Sequence, residues 1–456
     1  MLLAISLHFG LESALQYALY LTMFGAFLGS ILWRPSVGVY LLVLSLPLQT
    51  VRYHLHSYPL GAQFLDITLL GSIIGLLIRR ETIFFKSPAN GILLLLTIFY
   101  YLSLWQGVFF INVPLPLFIG DTRFSDWKNY VEMFLIAFVV ASAIKQKSEV
   151  RLLILMTCFS VLLINRTYAS LLGGRDISHF SDEIREAGAL GYAGVNGFAA
   201  FEAMFTSFLL GLYVYQRKLV VKLGLLGLIA MCCYCLLFSF SRGGYIGLLA
   251  GFSTVGLLKA RHLLLVVLVV LIGWQTLLPA AVQERISMTN EGASKGQNFD
   301  ASSEERLEIW EDAVNMFKQN PVLGTGFDTY QFMGRVGPYT DTHNYYMKVI
   351  AETGIVGLAL YLFLLAKLFD VGSTLFRSST DPFWSAFSLG FLALVASAVV
   401  LNFFGDRWTY QQVDGYLWVF LGCAMRGQRA VQEERDRMEA DATLDAVLPT
   451  PETVAV

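Results

Sequence analysis

Apolar runs of roughly 17–22 residues, long enough to cross a bilayer, recur about thirteen times along the chain. They lie near 13–33, 36–50, 64–78, 90–107, 129–144, 152–171, 195–216, 220–239, 243–258, 262–281, 345–366, 383–403 and 412–425. The second, third and last are short, and 36–50 reads as a tilted or broken span. Composition agrees with this pattern: 14% of residues are charged, against about 25% in soluble chains, and mean hydropathy is +0.60. A formal net charge of −2 argues against a basic nucleic-acid binder, so no nucleic-acid partner is expected. Cys158, Cys232, Cys233, Cys235 and Cys423 sit inside apolar runs and offer neither a pairing framework nor metal-type spacing. The first run lacks a basic leader and a small-residue cleavage site, so it reads as an uncleaved span.

The expected fold is an all-α polytopic membrane protein of about 12–13 transmembrane helices. Residues 1–281 form an N-terminal transmembrane bundle, and 282–344 an outer loop with a lid helix. Residues 345–425 form C-terminal transmembrane helices, and 426–456 a tail that is helical at first and then disordered. Orientation follows from positive charge in the loops. Lys86, Lys145, Lys147, Lys218, Lys222, Lys259 and Lys367 fall on one side, against Lys128, Lys295 and Lys318 on the other. The Lys-rich side, with Arg34 and Arg426, is expected to be cytoplasmic.

Arginine departs from this bias. Arg52, Arg123, Arg166, Arg175, Arg185, Arg242, Arg285, Arg306, Arg335 and Arg407 all fall on the outer side. Snorkelling and loop ion pairs account for some of them. A phosphate-bearing ligand accounts for the preference over lysine, because the planar guanidinium fork matches phosphate bidentately. Ionisable residues within the spans point the same way. Asp66, Glu132, Arg166, Glu202, Lys348 and Glu352 all fall in outer helix halves, implying a polar cavity that opens outward.

Three constellations could carry chemistry. Ser239-Phe240-Ser241-Arg242-Gly243-Gly244 joins two apolar runs with almost no loop. Its glycines permit a tight turn and close approach of a ligand, and the next helix begins there, favouring an anion beside Arg242. A topological stop built from glycine and an interfacial Arg is the plainer alternative. Between Glu304 and Phe317, Leu307, Trp310, Val314 and Phe317 share one face of a helix, with Arg306 on its first turn. Such a helix would lie over the bundle as a lid. Tyr339-Thr340-Asp341-Thr342-His343-Asn344 then opens the eleventh span. His343 can accept a proton from a hydroxyl near neutral pH, and Asp341 or Asn344 could fix its tautomer. Capping or an interfacial role is the plainer reading of His343. Lys348 and Glu352, four apart, could neutralise each other. No metal set emerges, and no cofactor is expected.

Ser241-Arg242-Gly243-Gly244, Arg306-Leu307-Glu308-Ile309-Trp310 with Asn320-Pro321-Val322-Leu323-Gly324-Thr325-Gly326, and His343-Asn344 with Glu352-Thr353-Gly354 occur in this order. Together they resemble the O-antigen ligase and polysaccharide polymerase superfamily of bacterial membrane glycosyltransferases. Arg34-Pro35 and Arg123-Phe124-Ser125-Asp126-Trp127 are more loosely similar to ligase-like proteins of exosortase systems. The resemblance implies a C-type glycosyltransferase fold in the bacterial inner membrane, with its active site facing the periplasm. It implies transfer of a glycan from undecaprenyl diphosphate to a hydroxyl of lipid A core, another glycan or a protein, inverting and without metal. The motif histidine falls on His343, which would engage the acceptor, and the motif arginines on Arg242 and Arg306, which would hold the diphosphate. Arg185 stands where relatives often keep another Arg. Ligase, polymerase and protein O-glycan ligase share these motifs. A transporter of lipid-linked glycans is the competing class, distinguished by polar groups near the midplane and by internal repeats.

Overall fold

The computed structural model describes residues 12–84, 86–118, 120–288, 301–336 and 340–447. Each apolar run becomes a helix, and no strand forms among the described residues. We label the principal helices α1 (Glu12–Leu32), α2 (Ser36–Ser45), α3 (Phe64–Ile78), α4 (Asn90–Ile111), α5 (Thr122–Ala143), α6 (Lys147–Leu172), α7 (Gly194–Tyr215) and α8 (Leu219–Leu237). The chain continues with α9 (Arg242–Leu258), α10 (His262–Leu277), α11 (Ala280–Ser287), α12 (Ala301–Gln319), α13 (Tyr345–Ser378), α14 (Pro382–Leu401) and α15 (Gln411–Val447). The tail is therefore helical as far as Val447, and its expected disordered end lies outside the described residues.

This is a polytopic membrane protein. Seven helical segments are long and apolar enough to cross a bilayer, and α10 with α11, bent by 103°, would make an eighth. The remaining runs fold as helices that fall short for visible reasons. The apolar parts of α1 and α2 are brief, α9 has 17 residues, α5 opens with Arg123, Asp126, Lys128 and Glu132, and the apolar part of α15 starts beside Asp414 and stops at Arg426.

At the centre, α7 crosses α14 at backbone contact. A Cβ on Gly211 would lie 2.2 Å from the amide nitrogen of Gly390, so neither position accommodates a side chain. Phe208 stacks on Phe420 of α15 with ring centroids 4.0 Å apart, closing the core on the other side.

Ion pairs and carbonyl contacts gather the Lys-rich loops at one end. Arg79 Nη2 donates to Trp33 O (2.6 Å), Lys145 pairs with Glu81 and Lys147 with Asp381. Arg426 Nε donates to Lys145 O (3.0 Å). The segments bearing Arg185, Arg242, Arg306 and His343 meet at the opposite end.

Helix α13 is broken at Gly354 (φ 62°, ψ −163°). A break frees backbone groups that lipid cannot satisfy, and here the segment 321–326 takes them. The amides of Thr325 and Gly326 donate to Ala351 O (3.2 Å) and Glu352 O (2.7 Å), while those of Ile355 and Val356 donate to Pro321 O (2.9 Å) and Val322 O (3.2 Å). Glu352 adds its carboxylate, which accepts from the amides of Asp328 and Tyr330, 3.0 Å each. A Cβ on Gly354 would lie 2.4 Å from the Val322 carbonyl, at a φ that L-residues avoid. Gly354→Ala should therefore cost about 1–3 kcal/mol, read as a lowered thermal midpoint of the purified protein. An unchanged midpoint would show that the break does not constrain the fold.

Candidate functional site

A groove of about 800 Å³ opens between α8, α9 and α10 and runs to the Lys-poor end of the bundle. Its membrane part is apolar, lined by Leu237, Leu248, Phe252, Val266, Val270 and Trp274. Its mouth carries Arg185, Arg242, Arg285 and Arg306, together with Asn196 and Ser241.

The tight turn before α9 positions Arg242. Phe240 takes a left-handed conformation (φ 54°), and Ser241 caps the helix, its Oγ accepting from Gly244 N (3.5 Å). Arg242 thus occupies the first turn of a helix whose amide dipoles favour an anion. The two glycines, expected to serve a tight turn and ligand approach, serve close packing instead. A Cβ on Gly243 would lie 2.6 Å from Phe404 Cβ, and one on Gly244 would lie 2.8 Å from Leu236 and 2.9 Å from Ala199.

Arg185 reaches the mouth from the loop between α6 and α7. Its Nη2 donates to Asn196 Oδ1 (3.1 Å), which also accepts from Ser241 Oγ (2.9 Å). One amide therefore ties two flanks of the mouth together. Arg285, on α11, lies over the Phe180 ring at 4.7 Å. Glu284 fastens the same loop by accepting from Phe180 N (2.8 Å) and meeting His179 Nδ1 (2.8 Å).

The lid helix α12 is turned from its expected orientation. Its fully buried residues are Ile309, Ala313 and Met316, packed with Tyr330 and Ala351, while Leu307 is half-exposed. The spacing supports two apolar faces, and the helix uses both. One packs on the bundle, and Leu307 and Trp310 with Arg306 cover the groove.

His343 does not line the groove; it stands at its lip. Trp310 Nε1 donates to Thr342 O (3.0 Å), which joins the lid to the residue before His343. His343 is left-handed (φ 51°), a costly conformation for a non-glycine residue that tends to mark functional positions. Its Nδ1 lies 3.3 Å from Asp341 Oδ2. Burial works against the charge on Asp341, but the His343 hydrogen bond and the positive charges of Lys348 and Arg407 hold its carboxyl below the usual range. An ionised Asp341 opposite Nδ1 favours the tautomer that leaves Nε2 as a proton acceptor. Of the two partners considered for this role, Asn344 serves elsewhere: its Oδ1 caps α13 through the amides of Tyr346 (3.0 Å) and Met347 (3.3 Å).

Two expectations are corrected. Lys348 does not pair with Glu352; its Nζ meets Asp406 (3.1 Å) and Asp328 (4.0 Å), because Glu352 is committed to the 328–330 amides. The ionisable residues inside the spans do not line the groove either. Asp66 pairs with Lys128 (2.5 Å), Lys128 with Glu132 (3.5 Å), and Glu202 accepts from Asn165 (3.2 Å). The groove draws its charge from loops and helix ends instead. Arg335 chelates Asp312 on the lid, and Arg123 donates to Leu104 O (2.8 Å) and Phe327 O (3.2 Å). Neither of these outer arginines lines the groove. Arg285 and Asn196 join the mouth without a motif of their own, and only the outer-side placement of Arg285 signals it in the sequence.

Residues 226–362 match the family model described as O-Antigen ligase. The match contains Arg242, Arg306, His343 and Glu352, and leaves Arg185 outside it. A search of the curated proteins found no match.

Proposed function

Starting from the chain's place in the O-antigen ligase superfamily, we propose that it moves a glycan from undecaprenyl diphosphate to an acceptor hydroxyl. The carrying observation is the groove, which joins an apolar membrane-depth lining to a mouth of four arginines, with His343 at its lip. A polyprenyl chain suits the apolar walls, and a diphosphate suits guanidinium forks beside a helix N-terminus. The family's lipid-linked donors and glycan acceptors fit the same division.

In this reading the acceptor oxygen attacks the anomeric carbon while His343 takes its proton. The bond from that carbon to the phosphate oxygen breaks, and the electron pair stays on the departing diphosphate. Attack from the face opposite the leaving group inverts the anomeric configuration. Arg185, Arg242 and Arg306 offset the growing negative charge and hold the donor in line. Guanidinium groups supply that charge without metal. Asp341 orients the imidazole, Asn344 caps its helix, and Glu352 holds the loop beneath the lid.

In this reading the protein lies in the inner membrane with its arginine end facing the periplasm, an orientation the Lys bias supports. Lipid A core, a growing glycan or a protein could each present the hydroxyl, so a polymerase or protein O-glycan ligase remains the nearest alternative. The test is a purified preparation in nanodiscs given undecaprenyl-diphosphate glycan and candidate acceptors. The expected result is a new glycosidic product, formed equally well with a metal chelator present. Abolition by chelator would overturn the metal-free scheme. Passage of the lipid-linked glycan across vesicles, without any new bond, would overturn the transferase reading in favour of transport.

A further inference from the structure

The loop between α14 and α15 holds an arginine that the mechanism above leaves unused. Arg407 is 8% exposed, and Asn402 Oδ1 fixes its backbone by accepting its amide (3.1 Å). Its guanidinium folds back over Gly405, where a Cβ would lie 2.2 Å from Nη2. Neither nearby carboxylate pairs with it directly. Asp406 accepts from Lys348 Nζ (3.1 Å), Thr409 Oγ1 (2.8 Å) and the amides of Trp408 and Thr409. Asp341 engages His343 through Oδ2 alone, 3.3 Å from Nδ1. Among the described residues Arg407 makes no ion pair, and its guanidinium forms one hydrogen bond, 3.4 Å from Nη2 to Phe404 O. Keeping a buried charge that no carboxylate meets directly is costly even with Asp341 and Asp406 nearby, and this one is kept.

Its position gives that cost a use. Phe404 lines the groove and packs on Gly243, beside Arg242. On another flank Nη1 lies 4.0 Å from where a Gly197 Cβ would stand, at the first turn of α7 and next to Asn196. Asp341, the partner of His343, lies within the electrostatic reach of Arg407. We propose that Arg407 binds the phosphate attached to the transferred sugar, between the donor arginines and His343, and receives the leaving oxygen. This rests on the donor reading above. As the acceptor oxygen bonds to the anomeric carbon and its proton passes to His343, the phosphate oxygen keeps the electron pair of the broken bond. Arg407 then faces the atom on which charge grows, and the α7 amides add to the same field.

The full-length protein in nanodiscs tests this with undecaprenyl diphosphate and undecaprenyl monophosphate as probes. Wild type should bind the diphosphate at least about tenfold more tightly, one charge-assisted contact being worth that factor. Arg407→Gln should lose this preference, bind the monophosphate as wild type does, and transfer glycan at least about 100-fold more slowly. Its ligand-free thermal midpoint should be unchanged or higher, because a buried charge with no direct ion pair has been removed. Arg407→Lys keeps the charge without the fork, and should fall between wild type and Gln. Intact diphosphate preference and transfer in Arg407→Gln would overturn the proposal. So would a lowered ligand-free midpoint with binding preserved, which marks a structural arginine. If the Gln variant does not fold, undiminished preference in Arg407→Lys overturns it. Failure of wild type to bind undecaprenyl diphosphate would instead sink the donor reading itself.

Discussion

Replacing His343 by Ala should cut glycan transfer by about 10²–10⁴-fold, the usual loss on deleting a general base, while donor binding stays near wild type. In the proposed scheme the donor is held in the groove, which His343 does not line. His343→Gln keeps size and some hydrogen bonding but takes up no proton, and should fail nearly as badly. His343→Asn separates function from folding most clearly. The residue is left-handed, a conformation Asn tolerates better than most non-glycine residues. That variant should be at least as stable as wild type and still inactive. If His343 were only a structural group at the start of α13, the same variants would change protein abundance and leave the specific transfer rate intact. Transfer, donor binding and thermal midpoint, measured together, decide between these outcomes.

Arg242→Lys should reduce transfer by about 10–100-fold, the cost of one or two charge-assisted hydrogen bonds. Lysine retains the charge beside the α9 N-terminus but cannot present two parallel N–H groups to a phosphate. The effect should appear in donor binding as well as in rate, which distinguishes it from the His343 series. Arg242 stands at the helix start, so Lys there is not expected to disturb the fold. Near-normal donor binding by Arg242→Lys would return the residue to a topological or interfacial role.

Much of this was legible in the sequence because membrane helices and charge placement are local properties. Each run of apolar residues became a helix, and Arg185, Arg242 and Arg306 do meet at one mouth. What depended on tertiary packing was read less well. The spacing of α12 offered two apolar faces, and only the rest of the bundle selects Ile309, Ala313 and Met316 for burial. Lys348 and Glu352 looked like a helical pair at a separation of four, but the amides of Asp328 and Tyr330 and the carboxylate of Asp406 claimed them first. The break at Gly354 was hidden because hydropathy passes through a glycine without registering its φ. Arg285, which lines the groove, lies in the same outer set as Arg335 and Arg123, and nothing in one dimension separates groove from scaffold.

The break at Gly354 also bears on how the chain is made. Synthesis runs from the N-terminus, so the segment 321–326 emerges before the helix it will complete. When Ala351 and Glu352 leave the ribosome, the amides that bind their carbonyls already exist, and the carbonyls awaiting Ile355 and Val356 were made some thirty residues earlier. An interrupted span would otherwise enter lipid with bare peptide groups, a state costing several kcal/mol for each. With the partner segment upstream, the interruption can be closed as it is synthesised. The order of the pieces along the chain therefore matters: the same two segments in the reverse order would leave the broken helix waiting in the membrane for its other half.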